Sequence, residues 1–199
     1  MDIILATRNQ SKTKQIKAML RGLDISLQSL DEAGISGEAV ESGKTLWENA
    51  SKKAMYAWEK THGWCLADDT GVFIDILDGA PGIHAARWAG EEASTEDIMN
   101  FTLAKLTGVP NRKRTGRFVT VAVAISPLGN EYHFEGIARG RFLHEPRVPC
   151  QPNMPYSGIF VPDGSTKVWA EMAVDEENAI SHRGKAFKKV RDFLQQMVW

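Results

Sequence analysis

The chain has 199 residues, of which 43% are hydrophobic and 25% are charged, and its 24 basic and 25 acidic residues give a formal net charge of -1. These values are typical of a globular domain with a sizeable core, and they argue against the strongly basic surface that holds a nucleic acid polymer. The two cysteines, Cys65 and Cys150, have neither metal-ligand spacing nor the pattern of a disulfide scaffold.

The first predicted element lies at the amino terminus, where residues 3–6 form a short apolar run typical of a buried strand. This run is too short for a signal peptide, and no later stretch is long enough to span a membrane. We therefore expect a cytoplasmic protein with no membrane partner.

A helix is predicted next, because Ile16, Met19 and Leu20 have helical spacing before Gly22.

The following segment is predicted to contain a loop, a helix and a second buried strand. Residues 33–44 are rich in Gly and Ser and indicate the loop, and residues 45–48 have the pattern of a capping box at a helix start. Residues 64–67 predict a buried strand that ends at Asp68 and Asp69. The paired aspartates are therefore expected at the end of a strand.

The second half of the chain contains the strongest strand pattern, at residues 118–125. A helix that starts at Ser94 precedes it, and a Ser-Pro-Leu-Gly-Asn turn follows it. Residues 131–138 then predict the second strand of an antiparallel hairpin, and residues 141–143 predict a further strand. Because parallel and antiparallel patterns occur together, we expect a mixed sheet.

Five prolines fall within residues 145–164, so this segment is expected to form only irregular or edge structure. Exposed loops often carry binding residues, and this one is a candidate binding loop. The last helix is predicted to begin after a Ser181 N-cap, and its apolar stripe includes Phe187 and Leu194.

Three polar residues, Thr7, Asn9 and Lys12, lie between the first predicted strand and the first helix. Free N–H groups and the helix dipole favour a phosphate at such a position, and a lysine in the first turn adds positive charge. An asparagine cap followed by a solvated lysine face explains the same residues. On the pattern alone, this second interpretation is favoured.

Asp68 and Asp69 are adjacent carboxylates that repel one another unless cations or hydrogen-bond donors lie nearby. Mg2+ commonly binds one or two carboxylates together with substrate phosphates. A turn in which one aspartate is solvated explains the pair equally well. On the preceding helix, Asn49 and Lys53 share one face near Glu48, which a capping box and an exposed ion pair would also explain.

His182 and Arg183 occupy the first turn of the last predicted helix. The helix dipole disfavours cations there unless an anion lies between them and the helix end. A bound phosphate would remove this conflict, because a guanidinium can donate two hydrogen bonds to it. A histidine at the surface without a ligand is the alternative.

Taken together, five motifs resemble the inosine/xanthosine triphosphate pyrophosphatase family, also called the Ham1-like family. They are TRNQSK at residues 7–12, ENA at 48–50, ADDTG at 67–71, GAPG at 79–82 and SHRG at 181–184. Shorter matches occur at residues 85–87, 160–164 and 170–172. The motifs follow the family order and span nearly the whole chain.

The resemblance implies an α/β fold in which an elongated mixed sheet with flanking helices forms two lobes around a central cleft, in one domain over residues 1–199. It also implies a homodimer that hydrolyses a nucleoside triphosphate to the monophosphate and pyrophosphate. The expected substrates are deaminated purine nucleotides of the ITP, dITP or XTP type. Removing them would cleanse the precursor pool.

The resemblance further implies a role for individual residues. Asp69 would be the base that activates water, and Glu48, Asp68 and Asp69 would bind Mg2+. Phosphate chemistry agrees, because it requires charge neutralisation and a positioned water rather than a covalent nucleophile. The implied substrate-binding residues are Thr7, Asn9, Lys12, Lys53, Thr70, Met154, Tyr156, Ser157, His182 and Arg183.

Two segments depart from the family pattern. The base-reading segment, normally Phe-Gly-Tyr/Trp-Asp-Pro, is MPYSG at residues 154–158, so a thioether replaces the aromatic platform and Ser157 replaces a carboxylate. Glu177 stands where a lysine is usual, and its carboxylate would repel a polyphosphate unless it binds a cation or points away. The basic residues that could supply the missing charge are Lys167, Arg147 and Arg139.

Two functions follow from this pattern. The first is an active pyrophosphatase whose altered loop has shifted its nucleotide preference. The second is a nucleotide-binding or sensing protein with weak or no hydrolysis. A protein that only binds nucleotides has little use for the adjacent carboxylates Asp68 and Asp69. Their presence therefore favours the active enzyme.

Overall fold

The computed structural model, which describes residues 1–197, contains a seven-stranded mixed sheet and five α-helices. The strands are β1 Asp2–Leu5, β2 Ser26–Ser29, β3 Trp64–Ile74, β4 Pro81–Gly82, β5 Thr115–Ile125, β6 Glu131–Phe142 and β7 Phe160–Pro162. The helices are α1 Gln10–Met19, α2 Leu46–Thr61, α3 Thr95–Lys105, α4 Val174–Ile180 and α5 His182–Met197.

The order of the strands explains why parallel and antiparallel patterns coexist in the sequence. The main path is β2-β1-β3-β5-β6-β7, and β4 pairs with β3 beside it. β1 is parallel to both β2 and β3, whereas β3, β5, β6 and β7 pair in antiparallel fashion. The prediction of an α/β fold with a mixed sheet is confirmed.

Helices α2 and α5 cover opposite faces of the sheet. The buried residues Ala50, Ala54 and Ala57 of α2 pack in one hydrophobic cluster with alternate valines of β5. Phe187 and Val190 of α5 belong to another cluster, with the intervening alanines of β5. Because successive side chains of a strand point to opposite faces, neighbouring residues of β3 also meet different helices.

A third hydrophobic cluster surrounds the carboxyl half of β3. It includes Val72 and Ile74 of β3, Phe118 of β5, and Tyr156 and Trp169 from the segment that follows β6. Six ring contacts with centroid separations from 4.6 to 6.4 Å link the residues Phe118, Phe142, Tyr156, Phe160 and Trp169. Several residues of this cluster also line the site described below, so this packing holds them in place.

The predicted helix starts are confirmed by their caps. The Thr45 hydroxyl accepts a hydrogen bond from the Glu48 N–H, and Ser94 forms a reciprocal capping box with Asp97. The Ser181 hydroxyl accepts from the N–H of Gly184 at 3.0 Å. These bonds satisfy donors that a helix start leaves without intrahelical partners.

The prediction that a strand ends at Asp68 and Asp69 is wrong, because β3 runs without interruption from Trp64 to Ile74. Both aspartates lie in the middle of the strand, opposite Ala122 and Val121 of β5. A carboxylate is tolerated in a buried strand when cations and donors contact it. Those partners come from helices that are distant in sequence.

Other secondary-structure elements also differ from the prediction. β6 joins the two predicted strands at residues 131–138 and 141–143 into one, and the polar strand β2 and the short helix α4 were not predicted. β7 lies at the edge of the sheet, as the proline content of its segment indicates. No helix within residues 1–197 is long and apolar enough to cross a membrane.

Candidate active site

A cavity of about 350 Å³ opens beside the middle of β3. It contains residues from the loop before α1, from α2 and β3, from the segment after β6 and from the start of α5. The structure thus brings together segments that are far apart in sequence. The predicted site residues that line the cavity are Thr7, Asn9, Lys12, Lys53, Asp69, Thr70, Met154, Tyr156, Ser157, His182 and Arg183.

Asp68 faces α1 and α5, and its carboxylate is enclosed by two cations. Its Oδ2 atom lies 3.2 Å from Lys12 Nζ and 3.3 Å from Arg183 Nε. Burial raises the pKa of Asp68, but Lys12 and Arg183 outweigh this effect and hold the pKa well below its usual range. The Asp68 side chain is 1% exposed, and it orders these two cations rather than facing the cavity.

Asp69 points to the other face of β3, toward α2 and the cavity. Its Oδ1 lies 2.9 Å from Lys53 Nζ, and its Oδ2 accepts a hydrogen bond from Asn49 Nδ2 at 3.3 Å. Asn49 and Lys53 are one helical turn apart, so the prediction that they share a face is confirmed. Their two donors leave the Asp69 carboxylate ordered at the cavity wall.

Glu41 is a second carboxylate at this point, and the sequence did not single it out. Its Oε1 lies 3.2 Å from Lys53 Nζ, so one ammonium group bridges Glu41 and Asp69. Burial lowers the pKa of Lys53, but Asp69 and Glu41 outweigh this effect and raise it, so the ammonium remains charged. Glu41 lies in the loop of residues 33–44, where no periodic pattern marks individual residues.

The structure does not bring Glu48 to the aspartates. Its Oε2 accepts a hydrogen bond from the Lys44 N–H at 2.6 Å, and Glu48 does not line the cavity. Within residues 1–197, no three His, Cys, Asp or Glu side chains are grouped so that they could hold a metal ion. The predicted set of Glu48, Asp68 and Asp69 is therefore not assembled, and Glu41 takes the place beside Asp69.

The start of α1 forms a polar corner of the cavity. The Asn9 side chain accepts a hydrogen bond from the Lys12 N–H at 3.1 Å, and the Thr7 hydroxyl accepts one from the Asn9 N–H at 3.2 Å. These contacts agree with the asparagine cap, and they also hold Lys12 at the cavity. A helix start with an adjacent lysine can bind a phosphate group.

Another part of the cavity wall is aromatic. Tyr156 is buried and donates a hydrogen bond to the Ala85 carbonyl at 2.8 Å, while Met154 and Trp169 also line the wall. The Ser157 hydroxyl is used internally, because it accepts from Gln151 N–H and donates to the Met154 carbonyl, each at 2.8 Å. This part of the wall can hold a flat apolar group.

His182 and Arg183 also line the cavity. His182 is buried against Phe118, with ring centroids 4.9 Å apart, and burial together with Arg183 lowers its pKa well below the usual range. The imidazole is therefore neutral, and its Nδ1 has no hydrogen-bond partner within residues 1–197. Arg183 also donates to Thr70 Oγ1 at 3.4 Å, so its guanidinium spans the floor of the site.

The basic residues expected to compensate for Glu177 lie elsewhere. Lys167 pairs with Glu176 at 2.8 Å, Arg147 donates to the Thr166 carbonyl, and neither these residues nor Arg139 lines the cavity. Arg8 and Arg87 line it instead. Arg87 occurs in one of the shorter family matches, but its place in the site was not predicted.

Comparison with known protein families gives one consistent result. The Ham1 family matches residues 3–193. A dITP/XTP pyrophosphatase of Thermoanaerobacter pseudethanolicus is 39% identical over 194 residues, which cover 98% of this chain and 96% of that protein. A dITP/XTP pyrophosphatase of Geobacter sulfurreducens is 38% identical over 192 residues, covering 96% of each.

Solved structures agree with the sequence comparison. A HAM1 protein from Coxiella burnetii superposes with a TM-score of 0.86 at 30% identity, covering 98% of this chain and 99% of that one. The Ham1 protein of Staphylococcus aureus gives a TM-score of 0.85 at 28% identity, covering 99% and 100%. The similarity therefore extends over the sheet, the helices and the cavity rather than over one motif.

Proposed function

This chain belongs to the Ham1 family, and we propose that it is a nucleoside-triphosphate pyrophosphatase that hydrolyses dITP, ITP or XTP to the monophosphate and pyrophosphate. Such an enzyme removes deaminated purine nucleotides from the precursor pool. The names of its relatives and the geometry of its cavity both support hydrolysis. They give no support to a protein that only binds or senses nucleotides.

The observation that carries the proposal is the position of Asp69. Its carboxylate lies at the cavity wall between Lys53 Nζ at 2.9 Å and Asn49 Nδ2 at 3.3 Å. A carboxylate held in this way can accept the proton of a water molecule as the water oxygen attacks phosphorus. The phosphoanhydride bond then breaks and pyrophosphate leaves with its electron pair, so no covalent nucleophile is needed.

The phosphate chain is proposed to lie across the start of α1. Thr7 and Asn9 would donate hydrogen bonds, and Lys12, Lys53 and Arg183 would offset the negative charge of the phosphates. Lys12 and Arg183 are themselves ordered by Asp68. Asp68 is thus proposed to position the cations rather than to contact the substrate.

Glu41 and Asp69 are proposed to hold Mg2+. Both carboxylates line the cavity and converge on the Lys53 ammonium group, and Mg2+ commonly binds one or two carboxylates together with substrate phosphates. When bound, the metal would neutralise charge that develops on the phosphate oxygens. Glu48 has no part in this proposal, because its carboxylate caps the Lys44 N–H.

The base is proposed to occupy the aromatic part of the cavity. Met154 and Tyr156 would contact its faces, and Ser157 would shape the loop through its two internal hydrogen bonds. The neutral His182 can donate or accept a hydrogen bond at a base carbonyl or ring nitrogen. We further propose that the chain is cytoplasmic and that it forms a homodimer, as the family resemblance implies. Light scattering after size exclusion would test the homodimer.

A panel of triphosphates tests the proposed function. We would measure kcat/KM for pyrophosphate release from ITP, dITP, XTP, GTP, ATP and CTP with Mg2+. We expect the deaminated purines to exceed ATP and CTP by at least about tenfold, since a polar site discriminates well against an edge it cannot pair. Equal rates for all six, or no release of pyrophosphate from any, would contradict the proposal.

A further inference from the structure

The cavity contains a buried carboxyl group that the proposed mechanism does not use. Glu177 lies on α4, is 4% exposed and lines the cavity. Its Oε1 accepts a hydrogen bond from Gln15 Nε2 at 2.9 Å. Within residues 1–197, its Oε2 has no hydrogen-bond partner. This oxygen retains some accessible surface, because it is not one of the fully buried atoms without a partner. One carboxyl oxygen is therefore open to the cavity.

Glu177 differs from the other carboxylates of the cavity wall. Asp69 and Glu41 pair with Lys53, and Glu38 pairs with Arg8 at 3.3 Å. In the described part of the chain, no Lys, Arg or His nitrogen lies within ion-pair distance of Glu177. A buried charge without a cation is costly unless donors solvate it. A ligand that supplies a donor would therefore bind favourably at this oxygen.

A hydrogen-bonded chain fixes the orientation of the acceptor. Gln15 Oε1 accepts from Arg183 Nη1 at 2.7 Å, which leaves the Gln15 amide nitrogen to donate to Glu177. Glu177 must consequently act as an acceptor toward Gln15. Burial outweighs the opposing effects of Arg183 and Gln15 and raises the pKa of Glu177. The carboxyl group is thus oriented by Gln15 without direct contact with a cation.

The open oxygen of Glu177 suits a base better than a phosphate chain. A free carboxylate oxygen repels phosphates, and the cavity that Glu177 lines also includes the aromatic residues Trp169 and Tyr156. The hydroxyl of Ser157 already makes two internal hydrogen bonds. Among the described carboxylates that line the cavity, Glu177 is the one without an ion-pair partner, so it is the acceptor most available to a ligand.

On the basis of the proposed function, we propose that Glu177 accepts a hydrogen bond from the ring N1–H of the bound base and thereby selects the substrate. Hypoxanthine, xanthine and guanine carry this N–H at ring position 1, whereas adenine carries a lone pair there. The carboxylate attracts the first group and repels adenine. Glu177 is thus a specificity-determining residue for bases that carry an N1–H.

A paired change in enzyme and substrate tests this role. We would compare ITP, ATP and N1-methyl-ITP, which lacks the N–H, in the wild type, in Glu177→Gln and in Glu176→Gln. The control residue Glu176 is the neighbouring exposed glutamate, which pairs with Lys167 outside the cavity. Its substitution removes the same charge from the same helix.

In the wild type, methylation of N1 should lower kcat/KM at least about tenfold, since a hydrogen bond to a charged group is lost. In Glu177→Gln the ITP-to-ATP ratio should fall at least tenfold, because the amide can rotate and donate to adenine, and N1-methylation should cost much less. Glu176→Gln should behave like the wild type. An unchanged ratio in Glu177→Gln, or an equal loss on methylation in both enzymes, would overturn the inference.

A binding measurement separates this inference from the proposed function. Calorimetric titration with IMP, N1-methyl-IMP and AMP requires no turnover, so it tests Glu177 even if no triphosphate is hydrolysed. We expect IMP to bind at least tenfold more tightly than the other two. If the Glu177 variant does not fold, the wild-type titrations still decide, because equal affinities for IMP and N1-methyl-IMP would overturn the inference.

Discussion

Asp68 and Asp69 are adjacent in sequence, yet their carboxylates lie on opposite faces of β3 and bind different lysines. Asp68 lies 3.2 Å from Lys12 Nζ, and Asp69 lies 2.9 Å from Lys53 Nζ. The alternation of side chains along a strand produces this separation. Asp68→Asn and Asp69→Asn should therefore have different effects on stability and activity.

Asp68→Asn should mainly destabilise the fold. The substitution removes the charge that offsets Lys12 and Arg183, and breaking a buried ion pair from one side costs about 3–5 kcal/mol. Urea unfolding at pH 7 would measure this loss. The exposed Asp163→Asn serves as a control that removes one negative charge at the surface, and it should change the free energy of unfolding by less than about 0.5 kcal/mol.

The same aspartate predicts how stability depends on pH. The pKa of folded Asp68 is lowered, chiefly because Lys12 and Arg183 outweigh its burial. Its stabilisation is therefore complete above the unfolded pKa of about 3.9 and is lost as the pH falls toward the folded pKa. Thermal melts between pH 6 and pH 3 should show a shallower loss in Asp68→Asn than in the wild type. Parallel curves would contradict this account of Asp68.

Substitutions of Glu41 and Glu48 should affect Mg2+ binding differently. In Glu41→Gln, the Mg2+ concentration that gives half-maximal activity should rise at least about tenfold, since a carboxylate ligand is lost. Glu48→Gln should leave it within about twofold, because an amide oxygen can still accept from the Lys44 N–H. Magnesium titrations of both variants would decide between them. The reverse order would restore Glu48 as the ligand.

Gly136 tests the packing that places His182. A Cβ at this position of β6 would overlap the His182 carbonyl and the Ala186 N–H of α5. Gly136→Ala should therefore destabilise the fold by about 1–3 kcal/mol and reduce activity, because backbone atoms must move. In Gly63→Ala the nearest atom is 3.8 Å away, so its thermal melt should match the wild type. Equal melting temperatures for both variants would contradict the predicted clash.

Local sequence patterns were sufficient to predict many of the helices and strands. The apolar stripe of α5, the caps at Thr45 and Ser94 and the strand at residues 118–125 depend on neighbouring residues, and the structure contains them. The polar strand β2 has no such local pattern, since its four residues read Ser-Leu-Gln-Ser. Its extended form depends on pairing with β1, which the sequence does not reveal.

The site was less predictable because its contacts join distant residues. Lys12 and Arg183 meet at Asp68 although 171 positions separate them, and no local rule indicates that they allow the strand to continue through a carboxylate. Glu41 lies in an irregular loop, so only the fold shows that it shares Lys53 with Asp69. Most of the residues that the resemblance singles out line the cavity, but the resemblance did not point to Glu41, and its metal role for Glu48 stays a prediction.

The central claim is that Asp69 drives cleavage between the α and β phosphates. The most direct test is to quantify pyrophosphate and orthophosphate separately from dITP with Mg2+, in the wild type and in Asp69→Asn. We predict pyrophosphate without orthophosphate for the wild type, and pyrophosphate release at least about 100-fold slower in the variant, as expected for loss of a general base. Orthophosphate as the first product, or undiminished release by Asp69→Asn, would contradict the claim.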